Sequence, residues 1–226
     1  MIDKRVTTMD AALAGLGDGA TIMFGGFGGA GLAINLIKGL AALPAKNLTV
    51  ISNSVRFLED FGPAMFEDMR IVHAVASAAR SRGSASGISE LQLADGTFTL
   101  DIAPQGSFAE RIRAGGAGIP AFYTPTSVGT PVADGKEHRE FNGRMCVLET
   151  ALTADFTLMR ADRADRYGNL YFRGTQGNFG FDMAAAAKTT VVEVREIMDD
   201  LLSPAEVHVP GVYVQRVIQL ADGRDA

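Results

Sequence analysis

The sequence predicts an α/β fold: an open, mostly parallel sheet with helices on both faces and an added antiparallel hairpin. Three observations lead to this class. A strand, a glycine loop and a helix succeed one another over residues 21–43; short apolar strands then alternate with helical segments; and Asn142-Gly143 lies between two strand-like runs. Strands that alternate with helices form parallel sheets covered on both faces, and Asn-Gly is the strongest short hairpin signal.

The N-terminal elements follow from apolar spacing and from helix-stop residues. Residues 7–16 carry apolar side chains at helical spacing behind a threonine cap, and glycines then end the helix. Residues 21–24 form a short β-favouring run, and the glycine loop 25–31 comes next. Residues 32–43 have a helical apolar pattern that Pro44 ends.

The middle of the chain continues the alternation. Residues 48–51 and 71–76 are predicted strands, with a helix over about 57–66 between them. Residues 81–89 are small and polar, which predicts a surface loop without regular structure. Residues 97–102 alternate well enough to be a strand.

Capping and turn chemistry place the next elements. Ser107 and Glu110, three positions apart, predict a capping box for a helix that Gly115-Gly116 ends. A long loop is expected to run from there to Pro131. Residues 137–141 and 144–148 then form the two strands of the hairpin, because both central positions of a type I′ turn need positive φ.

The last elements return to the parallel pattern. Residues 156–159 and 189–194 are predicted buried strands, and the alanine-rich residues 182–188 form a short helix between them.

Composition limits the classes of protein to consider. With 226 residues, 47% hydrophobic and 21% charged, one domain over residues 1–226 is the default. A net charge of −5 argues against general nucleic-acid or membrane-surface binding. The single cysteine, Cys146, cannot form an internal disulfide, the N-terminus lacks an apolar signal core, and no apolar run is long enough to span a bilayer. These features predict a cytoplasmic protein with small-molecule or protein partners.

The glycine loop fits the pattern G-x-G-x-x-G between a strand and a helix, over residues 26–31. A dinucleotide site also needs an acidic residue at the end of the second strand, but that strand ends Ile51-Ser52-Asn53-Ser54, so the NAD interpretation weakens. Glycines still let backbone N–H groups approach an anion or oxyanion at a helix N-terminus. The alternative is a tight strand-to-helix turn without a ligand.

Four segments are distinctive: DGATIMFGGFGGAG at 18–31, PQGSFAERIRAGGAGIPAFYTPTSVGT at 104–130, the run NGRMCVLETALTADFTLMRADRADRYGNLYFRGT at 142–175, and residues 182–214. They resemble the A subunits of family I coenzyme A transferases (3-oxoacid CoA-transferases). The resemblance spans roughly residues 5–215. The segment 114–130 is long and unusual in composition, so it is more specific than the glycine loop.

The resemblance implies acyl-CoA as donor, a 3-oxo acid or succinate as acceptor, and a heterodimer or heterotetramer with a B subunit. In the family the thioester is attacked by a glutamate of the B subunit, in covalent catalysis by a carboxylate without a metal or prosthetic group. That glutamate lies in a Glu-Asn-Gly motif. The only Asn-Gly pair here, Asn142-Gly143, follows Phe141, so the nucleophile is expected from another polypeptide.

The family's site residues carry over onto matching positions. Gly25, Gly26, Phe27, Gly28 and Gly31 match the glycine loop, Asn53 matches the first asparagine of a Ser-Asn-Asn segment, and Gln105-Gly106 match a Pro-Gln-Gly turn. Neutral amides suit a developing thioester oxyanion, so Asn53 and Gln105 are the candidate catalytic residues and the glycine loop with Gly106 the candidate CoA loop. Asn53 as a turn cap and Gln105 as a loop-orienting residue remain alternatives.

Departures from the family pattern leave two other functions open. Ala33, Ile34, Ser54 and Val55-Arg56 replace the usual residues, and residues 56–90 are the least similar, which puts the acceptor in doubt. A CoA-thioester hydrolase or lyase on the same two-subunit scaffold, or a non-catalytic homologue, are the alternatives.

Other catalytic patterns are weak. The three histidines, His73, His138 and His208, lack partners at metal-ligand spacing, so no metal is expected. Cys146 is interpreted as a buried apolar residue. Residues 83–87 resemble a nucleophile elbow but put Ala85 at the serine position. Glu149 and Asp155 are interpreted as solvated carboxylates at strand ends.

Overall fold

The computed structural model describes residues 2–78 and 86–219. The strands in this part of the chain are β1 Arg5–Val6, β2 Thr21–Phe24, β3 Leu48–Ser54, β4 Ile71–Ala78, β5 Thr99–Ile102, β6 Ala121–Thr124, β7 His138–Phe141, β8 Arg144–Thr150, β9 Ala154–Ala164, β10 Leu170–Tyr171, β11 Ala187–Ile197 and β12 Arg216–Gln219. The α-helices are α1 Met9–Leu13, α2 Ile34–Ala42, α3 Val55–Phe61, α4 Ala64–Glu67, α5 Ile88–Asp95, α6 Gln105–Gly116 and α7 Gly180–Ala185. Short 3₁₀ turns lie at Pro131–Ala133, Gly174–Gly177, Pro204–Glu206 and Gly211–Tyr213.

The larger sheet has the strand order β1-β12-β11-β9-β2-β3-β4-β5. All neighbours along this order are parallel, and only β10 pairs antiparallel, with β9. From β2 the chain moves outward through β3, β4 and β5, whereas from β9 it moves in the opposite direction through β11 and β12. The order therefore reverses between β2 and β9, and ligands of open α/β sheets bind outside the carboxyl ends of the strands at such a point.

Both faces of the larger sheet are buried, as the sequence predicts. Along β2, Ile22 and Phe24 join the core cluster under α1 and α2, while Met23 joins the cluster under α6 and α7. This alternation reflects the two-residue period of a strand. The fold class, a mostly parallel sheet with helices and a small antiparallel element, is confirmed.

The antiparallel element is larger than predicted. The hairpin β7–β8 turns at Asn142 and Gly143, whose φ angles of 51° and 75° are those of the expected type I′ turn. The segment before Pro131, predicted as a loop, contributes β6, which pairs with the other side of β8. The result is a separate three-stranded sheet. The pairing of β6 with β8 is a tertiary contact, which a local sequence pattern does not predict.

Several helix predictions need correction. The predicted helix 57–66 is two helices, α3 and α4, separated at Gly62-Pro63. Ile88 and Ser89, predicted as loop, begin α5, whereas residues 81–85 of that predicted loop lie outside the described residues. Residues 187–188, predicted as helix, begin β11.

The predicted capping box at Ser107 and Glu110 is wrong. Helix α6 starts three residues earlier, at Gln105, with Pro104 instead of Ser107 at its N-cap. Ser107 therefore lies buried inside the helix, and Glu110 pairs with Arg113 at 2.7 Å. A proline is tolerated at a helix start because its missing N–H leaves no helical hydrogen bond unmade there.

No helix in the described part of the chain is long and apolar enough to cross a membrane.

Candidate functional site

The glycine loop after β2 folds into a two-residue β-hairpin. Phe27 and Ala30 exchange both backbone hydrogen bonds, each at 3.0 Å. Gly28 and Gly29 between them have φ angles of 59° and 94°, which is the positive pair of a type I′ turn. The tip is therefore a tight two-residue turn, and the Phe27 ring at its base is 46% exposed.

Gly26 and Gly31 flank this hairpin and are required for steric reasons. Both have positive φ, 122° and 73°. A Cβ on Gly26 would collide with the Leu32 side chain, and one on Gly31 with the backbone oxygen of Gln176. Gly25 is held against β9 by its N–H bond to the Leu158 oxygen at 3.0 Å.

The hairpin is fastened by Asn178, a residue that no sequence pattern singles out. Its Oδ1 accepts hydrogen bonds from the backbone N–H groups of Gly26 at 3.1 Å and Phe179 at 2.8 Å. Its Nδ2 donates to the carbonyl oxygens of Ala30 and Gln176, both at 3.1 Å. The Asn178 side chain is thus hydrogen-bonded to both strands of the hairpin, before and after the turn.

The N-terminus of α2, expected to receive an anion of the ligand, already holds a carboxylate of the protein. Glu193 of β11 is fully buried, and its Oε2 accepts a hydrogen bond from the Leu36 N–H at 2.9 Å. Burial raises the pKa of Glu193 to about 7, against the lowering effects of that N–H and of Arg160. The Leu36 N–H at the start of α2 is therefore already bonded to the Glu193 carboxyl group, and anion binding by the glycine loop stays a prediction.

Asn53 and the start of the glycine loop line one narrow cleft. The cleft lies between Gly25-Gly26 and the end of β3, and its free volume of about 10 Å³ is roughly that of one water molecule. The Asn53 Oδ1 accepts a hydrogen bond from Ser77 Oγ at 2.7 Å. Among the described residues its Nδ2 has no hydrogen-bond acceptor, so the amide is oriented with a donor to spare.

The cleft also contains a buried hydroxyl group. Ser52 is 4% exposed, and its Oγ makes no hydrogen bond within the described residues. Buried polar groups normally have partners, and Ser52 lines the same cleft as Asn53.

Gln105 and Gly106 lie on the same edge of the sheet but apart from this cleft. They form the exposed first turn of α6, directly after β5. In the sheet order β4 separates β5 from β3, which carries Asn53. The structure thus brings Asn53 together with Gly25 and Gly26, but it does not bring Gln105 into their cleft.

A wider cleft lies on the other side of the glycine hairpin. Its volume is about 230 Å³, and it is lined by Gly29–Gly31, Leu32, Arg160 and Arg173 among others. Leu32 lines both clefts. The hairpin therefore stands between a cleft with neutral amide donors and a cleft with two guanidinium groups.

Comparison with known proteins identifies the family. The family model described as "Coenzyme A transferase" matches residues 6–220. The chain belongs to the coenzyme A transferase family. It is 44% identical to the A subunit of the succinyl-CoA:3-ketoacid coenzyme A transferase of Helicobacter pylori strain J99, over 96% of this chain and 92% of that one.

Further relatives of this coenzyme A transferase chain support the same family. It is also 44% identical to the A subunit of the 3-oxoadipate CoA-transferase of Pseudomonas putida, over 98% and 95% of the two chains. Among solved structures, an acyl-CoA transferase from Escherichia coli O157:H7 superposes with a TM-score of 0.82 at 20% identity, covering 98% of this chain and 48% of that longer one. The predicted enzyme class, a CoA-transferase represented here by its A chain, is confirmed.

The remaining candidate residues of this coenzyme A transferase chain do not form a metal or nucleophile site in the described part of the structure. Among the described residues no group of histidine, cysteine and carboxylate side chains is arranged to hold a metal ion. Cys146 is buried in β8, and Asp155 lies half-buried in β9, paired with Lys188 at 2.8 Å.

The interpretation of Glu149 as a solvated carboxylate is wrong. It is 1% exposed and pairs with Lys136 at 2.7 Å and Arg111 at 3.8 Å. Its ion pairs come from residues 13 and 38 positions away, which is why its sequence position did not reveal its burial.

Proposed function

We propose that this chain is the A subunit of a 3-oxoacid CoA-transferase. It moves CoA between an acyl-CoA, such as succinyl-CoA or acetyl-CoA, and a 3-oxo or related carboxylic acid. The observation that carries this proposal is 44% identity over nearly the whole chain to two proteins that are both named as A subunits of such transferases.

The proposed partner is a B subunit that supplies the nucleophilic glutamate, in a heterodimer or heterotetramer. Both relatives are named as one of the subunits of their enzymes, which supports a second chain. The described residues also contain a glycine hairpin and oriented amides at the sheet edge, but no Glu-Asn-Gly segment. CoA is a substrate in this proposal, no metal or prosthetic group takes part, and the enzyme acts in the cytoplasm.

In the proposed reaction the partner's glutamate carboxylate attacks the thioester carbonyl carbon. The C–S bond breaks, CoA leaves as thiolate, and a mixed anhydride remains. The thiolate then attacks the glutamyl carbonyl of the anhydride, which releases the first acid as carboxylate and leaves a glutamyl-CoA thioester. The acceptor carboxylate then attacks the glutamyl-CoA thioester, which releases CoA thiolate and forms a second anhydride. The thiolate attacks the acceptor's carbonyl in this anhydride, which gives the new acyl-CoA and frees the glutamate. Splitting the exchange in this way replaces one difficult step by easier ones.

Asn53 contributes a hydrogen-bond donor to this chemistry. Attack on a thioester places negative charge on the carbonyl oxygen, and a donor that is fixed beforehand stabilises that charge. The Ser77 hydroxyl holds the Asn53 Oδ1 at 2.7 Å, and Asn53 lines the same cleft as Gly25 and Gly26. The glycine hairpin gives the acyl-CoA a backbone surface without side chains, and Gln105 and Gly106 form a further part of the substrate surface at the same edge.

The test is transfer by the reconstituted pair. The chain is purified alone and with a B subunit that contains Glu-Asn-Gly, and each preparation is incubated with succinyl-CoA and acetoacetate or 3-oxoadipate. Acyl-CoA products are separated by chromatography. The proposal predicts acceptor-dependent transfer by the pair and none by the single chain. Acyl-CoA loss without an acceptor would favour a hydrolase or lyase, and the absence of any turnover by the pair would reject the transferase.

A further inference from the structure

Three phenylalanine rings form a row from the core to the glycine hairpin. The rings of Phe27 and Phe179 meet edge to face with their centroids 6.4 Å apart, and Phe179 meets Phe108 of α6 in the same way at 5.4 Å. Phe108 is fully buried and Phe179 is 9% exposed, whereas Phe27 is 46% exposed. The row therefore begins under α6 and ends at the surface, at the base of the hairpin.

The position of the outer ring is fixed by its neighbours. The Oδ1 of Asn178 accepts hydrogen bonds from the N–H of Gly26, which precedes Phe27, and from the N–H of Phe179. The Phe27 backbone is also bonded to Ala30 across the hairpin. A side chain that is held in place before a ligand arrives loses little freedom when the ligand binds.

The row lies on the same face of the sheet as the Asn53 amide. Phe179 packs with Ile51 of β3 and Val75 of β4 in one core cluster. Side chains two positions apart on a strand project from the same face. The Asn53 amide and the Ser77 hydroxyl that is bonded to it therefore project from the face that Phe179 covers. The exposed end of the aromatic row and the amide lie at the carboxyl edge of neighbouring strands.

A single exposed apolar side chain needs no explanation by itself, but Phe27 has a particular place. It directly follows Gly26, which lines one cleft with Asn53, so the two successive Cα atoms are about 3.8 Å apart. In the proposed function the thioester carbonyl group lies at Asn53, and the acyl chain continues from that carbonyl carbon. An aromatic ring stabilises CH2 groups beside it by removing their apolar surface from water.

We propose that the acyl chain of the thioester packs against the exposed Phe27 ring, so that Phe27 helps to determine which acyl groups are transferred. The inference rests on the proposed function, which places the thioester at Asn53. It assigns the apolar part of the acyl group, and not the CoA moiety, to this ring.

The experiment uses the reconstituted pair with acetyl-CoA, propionyl-CoA and butyryl-CoA as donors and one acceptor acid at a fixed concentration. Phe27→Ala removes the ring, and Phe27→Leu keeps a smaller apolar side chain. Phe141→Ala is the matched control, since Phe141 of β7 is 42% exposed and its ring also contacts one aromatic ring, that of Tyr123 at 5.1 Å. The kcat/KM of each donor is measured, and size-exclusion chromatography checks that each variant forms the pair.

The loss of contact with one CH2 group weakens binding about two- to fourfold. Phe27→Ala should therefore lower kcat/KM more for propionyl-CoA than for acetyl-CoA and most for butyryl-CoA, by about that factor at each step. Phe27→Leu should give the same order with smaller steps. Phe141→Ala should leave all three values unchanged.

An equal loss for the three donors would assign the ring to the CoA moiety or to folding, and no loss would make Phe27 an ordinary surface residue. A gain for butyryl-CoA would place the ring at the end of the acyl chain as a barrier. Each of these results overturns the proposal. Where Phe27→Ala does not form the pair, Phe27→Leu alone is compared, and failure of both variants to pair would make Phe27 a subunit contact and would also overturn it.

If the wild-type pair itself shows no transfer, the proposed function fails, which is a different result. The ring is then tested by the rise in Tm of the pair with each of the three acyl-CoAs. A rise that grows with acyl chain length in the wild type and in Phe141→Ala, but not in Phe27→Ala, supports the packing surface. A rise that does not depend on chain length in the wild type rejects it.

Discussion

Gly26 donates its backbone N–H to the side-chain Oδ1 of Asn178, 152 positions later in the chain, at 3.1 Å. The same side chain donates from Nδ2 to the Ala30 carbonyl oxygen. One amide therefore fixes the glycine hairpin relative to the 3₁₀ turn Gly174–Gly177 that precedes Asn178. The hairpin separates the two clefts of the site, so its position affects both.

This arrangement predicts a role for both ends of the Asn178 amide. Asn178→Asp keeps an oxygen for Gly26 but replaces the donor by an oxygen that faces the carbonyl groups of Ala30 and Gln176. We expect a loss of about 1–3 kcal/mol in stability, since the former acceptors lose their partner, and a fall of roughly tenfold or more in kcat/KM. Asn47→Asp, at an exposed asparagine before β3, is the control. A wild-type kcat/KM in Asn178→Asp would show that the hairpin needs no such fastening.

The proposed oxyanion role of Asn53 predicts an effect on the chemical step. Asn53→Ala removes the donor at little cost in volume, so kcat should fall by about 10²-fold, as for a typical oxyanion-hole donor. Ser77→Ala removes only the group that orients the amide and should reduce kcat by less. Both are measured in the reconstituted pair at saturating acyl-CoA. If Asn53→Ala keeps the full kcat, Asn53 is a turn residue and its assignment to the site is wrong.

Local patterns predict the elements that local forces determine. The strand Thr21–Phe24 has the predicted bounds, because glycines and β-favouring residues define it from both sides. The hairpin at Asn142-Gly143 is present because its turn needs positive φ at two successive positions. The capping box fails because α6 begins at Gln105, after Pro104 at its N-cap, so Ser107 lies inside the helix.

Local sequence patterns do not predict which distant residues meet in tertiary contacts. The resemblance to a family supplies Asn53 and the glycines, and the structure places Asn53 beside Gly25 and Gly26. It does not supply Asn178 or Glu193, whose hydrogen bonds to the loop and to α2 span 152 and 157 positions. No spacing rule connects such residues, since they meet only after β9 and β11 have joined β2 in one sheet.

The glycine conformations predict opposite effects on stability for two alanine variants. Gly28 has a φ of 59°, so Gly28→Ala should destabilise the protein by about 1–2 kcal/mol through backbone strain, although no atom lies within 4 Å of the added Cβ. Gly106 lies in the first turn of α6 with open space around it. Gly106→Ala should stabilise the protein by about 0.4–1 kcal/mol, because the unfolded chain loses freedom. Urea unfolding of both variants measures the difference, and equal shifts would contradict the assigned backbone conformations.

Glu193 predicts a particular dependence of stability on pH. Its pKa is raised from 4.5 to about 7 by burial, so between these values the folded protein retains a proton that the unfolded chain has released. Stability from this group is therefore complete below about pH 4.5 and is lost as the pH rises to 7, by roughly 3 kcal/mol. About one pH unit above this pKa the carboxylate is charged in both states and the loss is constant.

Glu193→Gln isolates this contribution, because glutamine keeps an oxygen for the Leu36 N–H but does not titrate. Near Arg160 the glutamine is neutral at every pH in this range, as Glu193 is only while it is protonated. We therefore expect the free energy of unfolding of the variant, relative to that of the wild type, to rise by roughly 3 kcal/mol between about pH 4 and pH 8 and then to level off. Urea unfolding at half-unit pH steps measures this difference. A difference that stays constant over the range, or that falls, would mean that Glu193 is ionised in the folded protein throughout and that the α2 amides and Arg160 outweigh its burial.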